Sequence, residues 1–254
     1  METIITDNNF VNLIGKGYEG SVYNFDDNNV IKVVNDFNEN KINKIKLLHD
    51  IKLENYIFPD KLVSLDDGTL IGYTMEKVNT NGLKDLQNNI NSNITLDKKI
   101  KYLKNLEKNL IKAHKIGMTI VDLNYSNFLV NEDDKIIMID TDNFTYKDYK
   151  TDNFPVLYSM LYRSKISSEI TPNMDKFSFT MKLLEYLCDE SILQFDLINY
   201  HPYRKDLEKF VNSLDIPLDV KSMILHNISD DQDKVYFGNT LNKLSSNKTH
   251  IYKK

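Results

Sequence analysis

Residues 118–144 read MTIVDLNYSNFLVNEDDKIIMIDTDNF, two short apolar runs with polar residues at their ends. The run 118–121 enters as a strand and delivers Asp122 at a tight turn; Asn127 follows five positions later, just before the apolar pattern resumes at 128–130. A polar break at 131–135 leads into 136–139, which ends on Asp140. Two β-rich runs joined by an Asn/Asp/Glu turn make a hairpin, and this one would set Asn127 and Asp140 together at one edge. An amide oxygen and a carboxylate so placed suit a hard cation such as Mg2+, which takes oxygen ligands and shares them with substrate phosphates.

The spacing resembles the catalytic core of the protein-kinase superfamily, in which an Asp-Leu-x-x-x-Asn loop precedes an apolar strand and a metal-binding Asp. Asp122, Leu123 and Asn127 match the loop, and Asp140-Thr141-Asp142 stands where the family usually has Asp-Phe-Gly. Ile120 and Val121 replace the usual His and Arg, and Asn124 replaces the loop lysine. The Asp-x-Asp is similar to that of aminoglycoside and choline phosphotransferases and of a bacterial branch of kinase-like proteins. The resemblance thus points to phosphoryl transfer more strongly than to any acceptor.

Toward the N-terminus, residues 12–23 form a Gly-x-Gly-x-x-Gly-x-Val run with Gly15, Gly17, Gly20 and Val22 between two β-type segments. Glycines there let backbone approach phosphate closely, although a plain hairpin turn would use them too. The strand 29–34 follows with Lys32 at its centre, which is the kinase order and not that of a Rossmann unit. The resemblance implies that Lys32 contacts the α- and β-phosphates and that a helical glutamate holds it. The helix expected over 38–50 offers Glu39, with Glu54 as the fallback; an exposed helix-start acid is the alternative reading of Glu39.

Strands are expected over 61–65 and 70–75, separated by an Asp-Asp-Gly turn. By resemblance Met75 is the gatekeeper, and backbone groups of Glu76 and Val78 meet the adenine edge. Residues 79–95 read as a linker with a short helix. Apolar residues at helical spacing over 96–115 make a long amphipathic helix that ends at Gly117. His114 reads as a packed, hydrogen-bonded histidine.

The hydroxyl-rich segment 143–174 occupies the activation-segment position and shows no Ala-Pro-Glu. With Val121 in place of an arginine, loop phosphorylation has no evident receiver. A helix is expected to begin at Asp175, the residue that by resemblance braces the catalytic-loop backbone. Helices over 216–228 and up to Leu244 resemble the close of a kinase C-lobe, with Lys234 at the place of an arginine. The tail 245–254 reads as frayed.

The 254 residues suffice for one two-lobed domain with a real core. A net charge of −5 argues against a nucleic-acid partner. The single cysteine, Cys188, excludes an intramolecular disulfide and reads as a buried thiol. No run approaches the ~20 apolar residues of a membrane span, so a cytoplasmic protein is expected. Arginine occurs only at 163 and 204, so bidentate guanidinium clamps on phosphate are scarce.

The expected fold class is α+β: a two-lobed protein-kinase-like fold, with a small β-rich N-lobe carrying one helix (1–78) and a larger, mainly helical C-lobe (79–254). The expected activity is transfer of the γ-phosphate of Mg2+·ATP to a serine or threonine hydroxyl of a protein. ATP and Mg2+ are the implied cofactors, Asp122 and Lys32 the catalytic pair, and Asn127, Asp140 and Asp142 the metal ligands. A small-molecule kinase and a nucleotide-binding pseudokinase are the alternatives.

Overall fold

The computed structural model describes residues 1–6, 10–92, 94–151, 157–188, 200–231 and 233–244. Its N-terminal part is a six-stranded sheet of β1 (Thr3–Thr6), β2 (Leu13–Lys16), β3 (Gly20–Asn24), β4 (Asn29–Val34), β5 (Leu62–Leu65) and β6 (Leu70–Glu76). Spatial order is β1-β5-β6-β4-β3-β2, antiparallel except for the parallel β1/β5 pair. The edge strand β1 carries no sequence signal beyond four residues of alternating exposure.

Helix α1 (Glu39–His49) links β4 to β5 and begins where Asn38 Oδ1 accepts the Lys41 N–H at 3.1 Å, a standard N-cap bond. Its Ile45 joins Val30, Val34, Ile57, Leu62, Tyr73 and Met75 in a small hydrophobic cluster. The segment after α1 is pinned to the later hairpin: Ile57 N–H donates to Met138 C=O at 2.9 Å and Met138 N–H to Asn55 C=O at 2.8 Å.

Residues 79–95 hold more structure than a linker. β7 (Thr80–Asp85) pairs with β9 (Phe128–Asn131), and Asp85 then caps the short helix α2 (Leu86–Asn91). Helix α3 (Leu96–Lys115) spans the stretch expected for it, with Ile100, Leu103, Leu106, Leu110 and Ala113 buried; Gly117 terminates it at φ +80°. Asn109 of α3 donates to Ile136 C=O at 2.9 Å and so ties the helix to β10 (Ile136–Met138). β9 and β10 form the expected hairpin, with Phe128 opposite Met138.

The first apolar run is a shorter strand than expected. β8 covers only Met118–Thr119 and pairs with β11 (Thr145–Tyr146). Helices α4 (Leu157–Lys165), α5 (Pro172–Cys188), α6 (Tyr200–Ser213) and α7 (Leu218–Ile228) follow, then a 3-10 segment Gly238–Leu244. α5 starts before Asp175, which lies in its first turn. A large second cluster, centred on α3, α5 and the β9/β10 hairpin, forms the core of this part.

The chain is therefore α+β, with an N-terminal sheet bearing one helix and a mainly helical C-terminal part. Among the described residues no helix is long and apolar enough to cross a membrane. The Cys188 side chain and the tail 245–254 lie outside the described residues.

Candidate active site

Asp122 is positioned by a backbone that is held under strain. Val121 adopts φ +67°, a region that β-branched residues avoid because the side chain crowds the backbone. Asp175, fully buried, holds it there: its Oδ1 accepts Val121 N–H at 2.8 Å and its Oδ2 accepts Ile120 N–H at 2.7 Å. Ser159 Oγ donates to Val121 C=O. His114 Nε2 lies 2.8 Å from Asp175 Oδ2, and its Nδ1 lies 2.6 Å from the Tyr236 hydroxyl. Asp175 thus holds the backbone just before Asp122, and the His114 side chain is buried and hydrogen-bonded to it.

After Asp122, Asn124 Oδ1 accepts Ser126 N–H at 3.3 Å and opens a 3-10 turn, Tyr125–Asn127. The turn folds Asn127 back so that its Nδ2 donates to Asp122 Oδ2 at 2.9 Å. That bond leaves the Asn127 amide oxygen for a cation or another donor. Asp122 is only 8 % exposed, and among the described residues its Oδ1 has no hydrogen-bond partner. Burial, with a smaller contribution from the Asp140 charge, raises its pKa to about 6.

The hairpin joins this group to Asp140, since Ile139 N–H donates to Asn127 C=O at 3.0 Å. Asp140 sits in the left-handed region at φ 60°. One of its oxygens bonds Lys32 Nζ and the other accepts Asn143 Nδ2 at 2.6 Å. Lys32, 5 % exposed, also reaches both oxygens of Asp142 at 2.8 and 2.9 Å. One ammonium thus faces two carboxylates. Burial works against charge on Asp142, but Lys32, with a smaller contribution from Tyr73, holds its pKa below the usual value. Burial and repulsion from Asp142 raise that of Asp140.

The expectations that change here concern the glutamate for Lys32, whereas Asp142, expected as a further metal ligand, turns both oxygens to Lys32 much as Asp140 turns its own to Lys32 and Asn143. Glu39 is exposed at the start of α1, and Glu54 is also exposed, bonded to Lys112 Nζ at 2.6 Å; neither holds Lys32. Asn127 and Asp140 remain as hard oxygen donors at one edge, a donor set that fits Mg2+ sharing its shell with phosphates and water. Among the described residues no cluster of three or more His, Cys, Asp or Glu side chains could hold a metal by itself.

The glycine-rich turn lies between β2 and β3, closed by Gly17 N–H to Gly20 C=O at 2.9 Å. Its glycines have different tasks. A Cβ on Gly20 would stand 2.2 Å from Val33 C=O, so that glycine serves strand packing; among the described residues one on Gly15 would meet nothing within 4 Å, and one on Gly17 only Gly20 C=O at 4.0 Å. Space above the turn is thus open to a ligand. Val22 pairs with Lys32 across β3/β4. Met75 is buried at the end of β6 and Glu76 closes that strand, while Val78 beyond it makes no backbone hydrogen bond among the described residues.

No protein-family model matches the chain, and no curated protein matches its sequence. Sequence reasoning missed the Lys32–Asp142 tether, the Ser159 bond to Val121 and a second buried lysine, Lys44. The last had a signal: Lys44 stands four residues before Leu48, on the stripe of α1 that also carries Ile45.

Proposed function

We propose that the protein is a protein-kinase-like phosphotransferase that moves the terminal phosphoryl group of Mg2+·ATP to a protein hydroxyl. The observation that carries this reading is Asp122: a buried carboxylate with one oxygen fixed by Asn127 and the other without a partner among the described residues, beside the Asp140–Lys32 pair. The order of glycine turn, strand lysine, helix, paired catalytic hairpin and helical C-terminal part supports it.

In this scheme the open turn at Gly15 and Gly17 receives the phosphates, Lys32 is held in place by Asp142, and Val78 offers free backbone groups to the adenine edge. The acceptor O–H lies against Asp122 Oδ1. As the acceptor oxygen bonds to the γ-phosphorus, the bond from that phosphorus to the bridging oxygen breaks, the proton passes to Asp122 and ADP carries off the electron pair. A carboxyl group with a pKa of about 6 is ionised near neutral pH and matched to proton acceptance there. Bound Mg2+, held by Asn127 and Asp140, would stabilise charge on the phosphates. The chain's own contribution is positioning and preorganised charge.

The test is transfer of labelled γ-phosphate from Mg2+·ATP to a generic protein acceptor by wild type and Asp122→Ala. Label on protein that requires Asp122 is the expected result. Asp122-dependent ATP consumption only with a metabolite extract would move the acceptor to a small molecule, and equal labelling by both proteins would overturn the role of Asp122.

A further inference from the structure

The buried stripe of α1 carries a cation that the Lys32 cluster does not use. Lys44 is 8 % exposed, yet among the described residues its ammonium makes no hydrogen bond or ion pair. It lines a pocket of about 250 Å3 between α1, Glu19 of the glycine-rich turn, Asp142 and Asn143, and the segment 149–151. Lys41 and Lys150 line the same pocket. Among the described residues its two acids are Glu19 and Asp142; Asp142 is already committed to Lys32, which leaves Glu19 against three described lysines.

The N-terminal turn of α1 opens into this space through Asn38, Asn40 and Lys41. Its first N–H groups lack intrahelical acceptors, and the helix end favours negative charge. Among the described residues the Asn38 side chain accepts only Lys41 N–H of these groups. An unpaired ammonium in a buried site is unfavourable, and burial draws the Lys44 pKa down to about 8. A counter-ion would relieve that penalty. The volume falls below the ~300 Å3 at which ligand pockets usually begin, so a single anionic group fits better than a whole nucleotide.

We propose that this pocket binds a phosphate group, with Lys44 as its main counter-charge and Lys41 and Lys150 beside it. The phosphate arrives either as the terminal group of a nucleotide lying across Asp142 or on a separate phosphorylated ligand. The site stands on the pocket and the unpaired lysine and does not depend on the phosphotransferase reading.

The test is titration of the full chain at matched ionic strength with inorganic phosphate, then with Mg2+ and either ADP or a non-hydrolysable ATP analogue. Wild type is compared with Lys44→Gln and Lys44→Arg. Phosphate should bind wild type and Lys44→Arg and bind Lys44→Gln about tenfold or more weakly, the scale of one charged hydrogen bond. An accompanying loss for the ATP analogue but not ADP assigns the pocket to the terminal phosphate; a loss for inorganic phosphate alone assigns it to a separate ligand. No phosphate binding to wild type, or equal binding by Lys44→Gln, overturns the proposal. Lys44→Gln removes an unpaired buried charge, so unfolding is not the expected cause of a loss, and its melting curve checks this. Phosphate binding without any nucleotide binding would retain the pocket and discard the phosphotransferase reading.

Discussion

Strand β4 and helix α1 each bury one lysine near Asp142, and the two are treated in opposite ways. Lys32 on β4 is bonded to Asp140 and to both oxygens of Asp142, and these carboxylates, with Tyr73, raise its pKa against the pull of burial. Lys44 on α1 is buried to a similar degree without such bonds, and burial lowers its pKa to about 8. The first lysine belongs to the folded charge network; the second is buried at some cost in stability. A paired buried cation can be judged from its structural partners, whereas an unpaired one calls for an external partner.

The largest expected effect breaks the paired side. Lys32→Met leaves Asp140 and Asp142 facing each other without a cation and should destabilise by about 3–5 kcal/mol, as breaking buried ion pairs does; denaturant unfolding measures it. A stability equal to wild type would mean that Lys32 is not integral to the fold.

Asp175→Ala comes next. It removes the acceptor of two backbone N–H groups and the partner of His114, and should cost about 2–4 kcal/mol on the scale of orphaned buried donors. If Val121 then relaxes from its left-handed conformation, turnover should fall more than stability explains. Unchanged turnover in the folded variant would remove Asp175 from the positioning of Asp122.

The unpaired side should respond with the opposite sign. Lys44→Met is expected to stabilise the ligand-free protein by about 1–3 kcal/mol at neutral pH, because it removes a buried charge whose desolvation outweighs the attraction of Asp142 and Glu19. Destabilisation of similar size would show that Lys44 has a favourable structural role.

The smallest effect is its pH dependence. The Lys44 pKa in the fold, about 8, lies below its ordinary value of 10.5, so between these values the unfolded chain binds more protons and stability rises with pH. Lys234, also near 8 through burial, gives the same sign. The readout is therefore the difference between wild type and Lys44→Met: the variant should lose part of the rise between pH 8 and 10.5, and parallel curves would contradict an unpaired Lys44.

Elements set by local periodicity were legible in the sequence. α3 has the bounds its apolar spacing implies, and the β9/β10 hairpin follows from alternation around a polar turn. β8 stops early for a tertiary reason: Asp175 takes the N–H groups of Ile120 and Val121, which a longer strand would give to a neighbour.

The same limit governs the site. Glu39 and Lys44 are five residues apart, which puts them about 140° apart around an α-helix; once Lys44 faces inward, Glu39 is turned out. The resemblance supplied a helical glutamate for Lys32, but the compact Asp140-Thr141-Asp142 motif supplies the carboxylate instead. No spacing rule reveals such an exchange, because it depends on how α1 packs beside the motif.

The most direct measurement is calorimetric titration of the full chain with Mg2+ and a non-hydrolysable ATP analogue, using wild type, Asp140→Ala and Asp122→Ala. Saturable, Mg2+-dependent binding that is lost in Asp140→Ala and kept in Asp122→Ala is the expected result. No binding to wild type, or equal binding by Asp140→Ala, would contradict a cleft built to hold a metal-bound nucleotide.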